Sequence, residues 1–182
     1  AIAGLGGLGS NIAMYLARAG VGHLHLVDFD KVDITNLNRQ QYDIADLGTL
    51  KTDALTKNIK RFNPFIEITS QCVKVNEDNA AEIFGGYKIV CEAFDKAENK
   101  AMLVNSILSE CGDTKIVSGS GMAGFGSSNT IVTRKINDRF YLCGDTKSDM
   151  NDGLALAAPR VAICAAHEAN MILRLLIGEK EV

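Results

Sequence analysis

Three glycines near the start of the chain have the spacing Gly4-x-Gly6-x-x-Gly9, between a short apolar run and a helical pattern. Glycines at this spacing let backbone N–H groups come close to phosphate oxygens, and the N-terminus of the following helix adds partial positive charge. The motif therefore predicts a loop that holds the phosphates of a nucleotide. The alternative is that the glycines serve only close packing between strand and helix.

Polar residues at the end of the next predicted strand and just after it narrow the choice of ligand. Asp28 falls nineteen residues after Gly9, close to the spacing of about 20 at which a carboxylate binds ribose hydroxyls. A compact cluster of Asn36, Arg39 and Gln40 comes shortly afterwards. A redox dinucleotide has no obvious use for that cluster, whereas a triphosphate under nucleophilic attack does. The alternative for Arg39 is a solvated side chain, or one paired with a local acid such as Asp43 or Asp46.

Two further residues are placed to contact phosphates or a metal. Lys51 lies at the opening of a predicted helix and could point across the loop, although a solvated side chain in the first turn is the simpler interpretation. Asp95 follows the carboxyl end of the predicted fourth strand, where open parallel sheets bind ligands. Its carboxylate could hold Mg²⁺ or cap the next helix, and the two roles do not exclude each other.

Apolar runs alternate with helical patterns along most of the chain. Residues 1–4 resemble the tail of a strand, so we expect native residues before Ala1. The order predicts a Rossmann-like α/β fold: a doubly wound, mostly parallel sheet with a C-terminal antiparallel hairpin and a final helix. The predicted strands are 24–29, 66–72, 88–92, 115–118 and the hairpin 130–134 with 139–142. The predicted helices are 10–19, 52–62, 79–84, 97–111 and 159–177.

The composition of the chain argues against several classes of protein. With 182 residues, 47% apolar and 23% charged, the chain is expected to form one domain over 1–182. A net charge of −3 gives no excess of positive charge that would indicate binding to nucleic acid. No apolar run approaches the roughly 20 residues that are needed to span a bilayer. Five cysteines without a CxxC pair argue against structural zinc and predict a cytoplasmic protein. Cys72, Cys91 and Cys164 are expected to be buried, reduced thiols.

As an ordered set, these residues resemble the adenylation domain of the ThiF/MoeB/HesA family, relatives of ubiquitin-activating enzymes. The resemblance covers most of the chain and is strongest over residues 1–51. The residues that carry it are Gly4, Gly6, Gly7, Gly9, Asp28, Asp30, Asn36, Arg39, Gln40, Lys51 and Asp95.

The resemblance implies an enzyme that binds ATP and Mg²⁺ and transfers AMP to the C-terminal Gly-Gly carboxylate of a ubiquitin-like sulfur carrier. By position, the four glycines would hold phosphates, and Asp28 with Asp30 would bind the ribose side of the nucleotide. Asn36, Arg39, Gln40 and Lys51 would contact the triphosphate, and Asp95 would organise the metal. The tail of the carrier would lie between residues 119–126 and the polar segment 144–153. A homodimer is expected from the resemblance.

The chain departs from the family pattern in its cysteines. It lacks the CxxC pairs of zinc-containing members, so it looks like the short, zinc-free ThiF type that uses a ThiS-like carrier in thiamine biosynthesis. The sulfur-transfer cysteine that some members carry before the last helix is not matched, because that region has Asn151-Asp152-Gly153. Cys143 is the nearest candidate thiol, and an ordinary thiol at the end of a strand is the alternative.

Other functions remain open from the sequence. A family member could adenylate another carboxylate, on a molybdopterin-type carrier, a peptide or a tRNA, although the acidic balance disfavours tRNA. A nicotinamide-dependent oxidoreductase would use the glycine loop and Asp28, but His23, His25 and His167 form no evident catalytic set. A non-catalytic relative would have no evident reason to retain Arg39, Lys51 and Asp95 together.

Overall fold

The computed structural model describes residues 1–149 and 153–182. In these residues a seven-stranded sheet has the order β3-β2-β1-β4-β5-β7-β6. Every neighbouring pair is parallel except β6 with β7. The strands are β1 (Ile2–Ala3), β2 (His23–Val27), β3 (Glu67–Gln71), β4 (Ile89–Glu92), β5 (Lys115–Gly119), β6 (Val132–Lys135) and β7 (Phe140–Gly144).

Helices connect the first five strands, as the alternating pattern predicts, and a last helix follows β7. They are α1 (Gly7–Arg18), α2 (Lys51–Lys60), α3 (Glu77–Phe84), α4 (Ala97–Glu110) and α5 (Ala158–Leu176). The first helix begins at Gly7, earlier than residue 10, because the loop turns very tightly. A Cβ on Gly9 would lie 1.8 Å from the carbonyl oxygen of Gly4, so the glycine run itself forms the first turn of the helix.

Side chains of the central strands alternate between two cores, one on each face of the sheet. Ile2 and Leu26 are register partners and belong to one buried cluster, with residues of α1, α2 and α5. Their neighbours Ala3 and Val27 belong to the other cluster, with residues of α3 and α4. This alternation has the period of two that a strand requires. It explains why helices cover both faces, and it confirms the doubly wound fold.

The chain changes topology after β5. β7 pairs with β5 in parallel, and β6 pairs with β7 in antiparallel register, with Thr133 opposite Cys143. The predicted C-terminal hairpin and final helix are therefore confirmed. Among the described residues, no helix is long and apolar enough to cross a membrane.

The expectation that three cysteines are buried is wrong for one of them. Cys91 and Cys164 are buried, whereas Cys72 is exposed. Cys72 comes directly after β3, which lies at the edge of the sheet and has most of its residues exposed to solvent.

Candidate nucleotide site

The glycine loop lies between β1 and α1 and packs against the end of β4. Gly4 has a φ of +88°, and a Cβ there would lie 2.9 Å from the carbonyl oxygen of Ala93. The residue before α1 is Gly6, which offers no side chain to cap the helix. The close packing therefore requires glycine, and the same geometry leaves the first N–H groups of α1 without a side-chain cap, as an anion site needs.

Asp28 fastens this loop to the end of β2. Its Oδ2 accepts a hydrogen bond from the backbone N–H of Leu5 at 2.6 Å, and its Oδ1 accepts one from Asp30 N–H at 2.8 Å. Burial raises the pKa of Asp28, while the nearby Lys51 and the two N–H donors oppose that shift. The carboxylate is thus held rigidly beside the loop, at the position where a ribose-binding acid is expected.

Lys51 is buried, so the interpretation as a solvated first-turn residue is wrong. Its ammonium lies 2.8 Å from Asp30 Oδ2, with 7% of the lysine side chain exposed against 49% of the aspartate side chain. The backbone N–H of Lys51 also donates to the carbonyl oxygen of Asp30 at 3.0 Å. Lys51 is therefore anchored at the carboxyl end of β2, next to the residue that contacts Asp28.

Arg39 lies against the first turn of α1. Its Cγ and Cδ are 3.7 Å from where a Cβ on Gly7 would be, and its Nη1 donates to Thr35 O at 3.0 Å and to Asn38 Oδ1 at 2.8 Å. Its Nε is buried without a hydrogen-bond partner in the described part of the chain. A buried guanidinium nitrogen of this kind favours an anionic ligand.

Gln40 and Asn36 lie in the same segment but differ in their bonding. Gln40 is 8% exposed, and its Oε1 is buried with no partner among the described residues. The Oδ1 of Asn36 accepts the N–H of Asp33 at 3.1 Å within a short capped turn. Gln40 is thus free to bind a ligand group, whereas the oxygen of Asn36 is committed to local structure.

Asp95 lies in the loop between β4 and α4, and its side chain is exposed. It does not cap α4, because the N-cap position is Lys96, which makes no capping bond. In residues 1–149 and 153–182 no group of three or more metal-binding side chains occurs. A lone exposed carboxylate fits Mg²⁺, which is commonly held by one or two carboxylates together with substrate phosphates.

Cys143 has a poor environment for a nucleophile. The residue is fully buried, and burial, reinforced by the nearby Glu168, raises the pKa of its thiol to about 12. Reactive thiols are partly exposed and have lowered pKa values. Asn151 and Asp152, where the resemblance places the sulfur-transfer cysteine of some family members, lie outside the described residues.

Three buried charged residues near these loops escaped the sequence analysis: Glu92, Arg160 and Glu168. Arg160 binds Asp145 at 2.6 Å and donates to the carbonyl oxygens of Gly126 and Ser127, each at 2.8 Å. It therefore joins the 119–126 stretch to the segment after β7. A charge inside an otherwise apolar run was the available signal for Glu92 and Glu168.

A glycine loop at a helix N-terminus, an acid at the end of the second strand and a doubly wound sheet define a Rossmann-like nucleotide-binding domain. Comparison with known families gives a match to the ThiF family over residues 1–182. The chain therefore belongs to the ThiF family.

The curated relatives are longer proteins. Over 122 residues the chain is 38% identical to Adenylyltransferase and sulfurtransferase UBA4 of Eremothecium gossypii, covering 66% of this chain and 27% of the relative. It is 38% identical over 107 residues to Adenylyltransferase and sulfurtransferase MOCS3 of Caenorhabditis briggsae, covering 58% and 26% respectively. The chain thus spans about a quarter of the length of these relatives.

Solved structures share the fold. The ATP complex of Escherichia coli tRNA N6-threonylcarbamoyladenosine dehydratase, TcdA, has a TM-score of 0.86 at 23% identity, covering 97% of this chain and 84% of that chain. The ATP complex of E. coli MccB has a TM-score of 0.73 at 21% identity, covering 98% and 56%.

Proposed function

We propose that this chain is the catalytic domain of an ATP-dependent adenylyltransferase that activates the C-terminal Gly-Gly carboxylate of a ubiquitin-like sulfur carrier. One observation carries the proposal: a continuous set of contacts runs from Leu5 N–H through Asp28 and Asp30 to Lys51. It joins the glycine loop to a buried cation at the edge of the sheet where such folds bind nucleotides.

Different residues contact different parts of ATP in this proposal. Gly4, Gly6, Gly7 and Gly9 present backbone to the phosphates, and Asp28 with Asp30 holds the ribose side. Arg39 and Lys51 offset the charge of the triphosphate, Gln40 offers a polar contact, and Asn36 contributes through its amide nitrogen. Asp95 would bind Mg²⁺, which when present neutralises charge on the phosphates.

The reaction needs no general base, since the carboxylate nucleophile is already ionised. It attacks the α-phosphorus, a new bond forms from carboxylate oxygen to phosphorus, and the bond to the bridging oxygen of the β-phosphate breaks. Pyrophosphate leaves with that electron pair. The protein contributes orientation and positive charge, which are the main catalytic means in phosphoryl and nucleotidyl transfer.

The relatives and the cysteines support the proposed acceptor. The relatives named adenylyltransferase and sulfurtransferase support a protein carrier, and the absence of a CxxC pair favours the zinc-free ThiF type with a ThiS-like carrier in thiamine biosynthesis. We further propose a cytoplasmic homodimer. Because Cys143 is buried and its thiol stays protonated, we assign it no role in sulfur transfer.

A different carboxylate is the second candidate. The structural neighbour TcdA is a tRNA-modifying dehydratase, so an acceptor on tRNA is chemically reasonable. The net charge of −3 gives little attraction to a polyanion and favours a protein acceptor.

The deciding experiment is ATP–[³²P]pyrophosphate exchange with a ThiS-like carrier. One carrier has an intact Gly-Gly tail and the other lacks its last glycine, in the presence and absence of Mg²⁺. We expect exchange only with the intact tail and the metal. Exchange supported instead by a molybdopterin-type carrier or by tRNA would retain adenylation but replace the thiamine assignment. Binding of NADH in preference to ATP would reject the proposal altogether.

A further inference from the structure

We propose that Glu92 is a positioning residue, which fixes the loop that carries Asp95 and thereby sets where the metal ion binds relative to the glycine loop. This inference rests on the metal-binding role proposed for Asp95. Glu92 is the last residue of β4 and is fully buried, and no step of the proposed reaction uses it.

Both oxygens of Glu92 are engaged, each by a different part of the molecule. Oε1 accepts the backbone N–H of Phe94, the residue before Asp95, at 2.7 Å. Oε2 accepts the hydroxyl of Ser118 on β5 at 2.5 Å. The ammonium of Lys100 on α4 lies 3.3 Å from Oε1 and 3.1 Å from Oε2. One carboxylate therefore ties the loop to the neighbouring strand and to the following helix.

The held loop also touches the glycine loop directly. Ala93 N–H donates to the carbonyl oxygen of Ala3 at 2.8 Å. A Cβ on Gly4 would lie 2.9 Å from Ala93 O and 3.1 Å from Phe94 Cδ1. These contacts place the two loops side by side, so the bond from Glu92 to Phe94 affects how Asp95 is presented to phosphates on the glycine loop.

The ionised carboxylate suits this position better than its amide. Three donors converge on it: an N–H, an O–H and an ammonium. An ionised glutamate only accepts hydrogen bonds, whereas glutamine has one accepting oxygen and an NH₂ group that donates. Glu92→Gln keeps the shape of the side chain, but the NH₂ group of glutamine then faces at least one of these three donors and cannot accept its hydrogen bond. It should therefore loosen the loop without opening a cavity.

Ligands in contact with a metal depend strongly on the groups that orient them, and removing such a group typically lowers metal affinity by about 10–100-fold. The test is electron paramagnetic resonance of Mn²⁺, titrated into the ATP-bound protein. We expect Glu92→Gln to weaken Mn²⁺ binding at least about tenfold, while metal-free ATP binding stays within about twofold. Glu98→Gln, an exposed residue on α4, serves as the matched control and should match the wild type.

The outcomes separate the inference from the proposed function. If the Glu92→Gln protein binds Mn²⁺ with wild-type affinity, or loses metal-free ATP binding to the same extent, the positioning role is wrong. If the wild-type protein binds no Mn²⁺ with ATP, the proposed function fails and the role of Glu92 fails with it.

Should Glu92→Gln not fold, the test uses Ser118→Ala, because this variant removes one of the hydrogen bonds to Glu92 and leaves the bond to Phe94. A smaller loss of Mn²⁺ affinity is then expected, and unchanged affinity overturns the inference.

Discussion

The ammonium of Lys51 lies 2.8 Å from the carboxylate of Asp30, although 21 positions separate the two residues. Their backbones are also joined, through Lys51 N–H and Asp30 O at 3.0 Å. The first residue of α2 is thereby fixed at the carboxyl end of β2. A lysine held this way is oriented before any nucleotide binds, which lowers the entropic cost of using its charge.

We expect Lys51→Met to reduce the rate of pyrophosphate exchange by about 10²–10³-fold, the cost typical of losing one positioned group that stabilises transition-state charge. Methionine retains most of the apolar stem, so the fold should persist by circular dichroism. The control is Lys57→Met on the same helix, whose lysine side chain is 63% exposed. Exchange that survives in the Lys51 variant at the level of the control would show that the ammonium has no part in the reaction.

Arg39→Ala should abolish AMP transfer and leave the fold intact. In the described part of the chain the guanidinium donates hydrogen bonds to Thr35 and Asn38 of its own loop, so little of the core depends on it. The measurement is pyrophosphate exchange, together with the thermal unfolding midpoint. An Arg39→Ala protein with full activity would eliminate the role assigned to this residue.

Gly9→Ala tests whether close packing of the glycine loop is essential. The new Cβ would lie 1.8 Å from Gly4 O, which is backbone and cannot rotate away. We expect a loss of about 1–3 kcal/mol in the free energy of unfolding, as overpacked sites show, and weaker ATP binding. Gly86→Ala is the matched control, because nothing lies within 4 Å of its Cβ position. Urea unfolding of both variants gives the comparison, and equal stability would contradict the packing argument.

Glu168 makes the stability of the fold dependent on pH. Burial raises its pKa from 4.5 to about 8, with Lys100 opposing and Glu92 adding to the shift, and Cys91 and Cys164 contact its oxygens. Between these pH values the folded state retains a proton that the unfolded state has released. Stability therefore falls as pH rises from about 4.5 to 8, by at most about 1.4 kcal/mol per pH unit.

Glu168→Gln should remove that pH dependence, since glutamine does not titrate. We expect the difference in the free energy of unfolding between the variant and the wild type to shift in favour of the variant as the pH rises from 5 to 8. Urea unfolding across this range measures the effect, with Glu98→Gln as an exposed control. Parallel stability curves for the Glu168 variant and the wild type would show that the buried acid is not protonated.

Arg160→Met should destabilise the region after β7. Arg160 and Asp145 are 5% and 13% exposed, so methionine leaves a largely buried carboxylate without its cation. Such a loss typically costs about 3 kcal/mol or more. Lys135→Met is the control, because its partner Asp138 is 92% exposed, and exposed pairs contribute little. If thermal unfolding shows the two variants to be equally stable, the Arg160 pair has no structural role.

The sequence alone determined the layered architecture and the strand that each candidate residue follows. Apolar periodicity and glycine positions are local properties, so they located the glycine loop, Asp28, the C-terminal hairpin and the helix that Lys51 opens. The ordered motif set also led to the correct family. These features depend on residues that are close together along the chain, so the sequence pattern is sufficient to predict them.

The tertiary structure alone decided burial and partnership. Cys72 is exposed because it follows a strand at the edge of the sheet, and Lys51 is buried because the chain returns to the end of β2. The bonds of Glu92 to Ser118 and of Arg160 to Asp145 join residues 26 and 15 positions apart. Desolvation and hydrogen bonding depend on what lies nearby in space, and no local pattern encodes which distant segment that is.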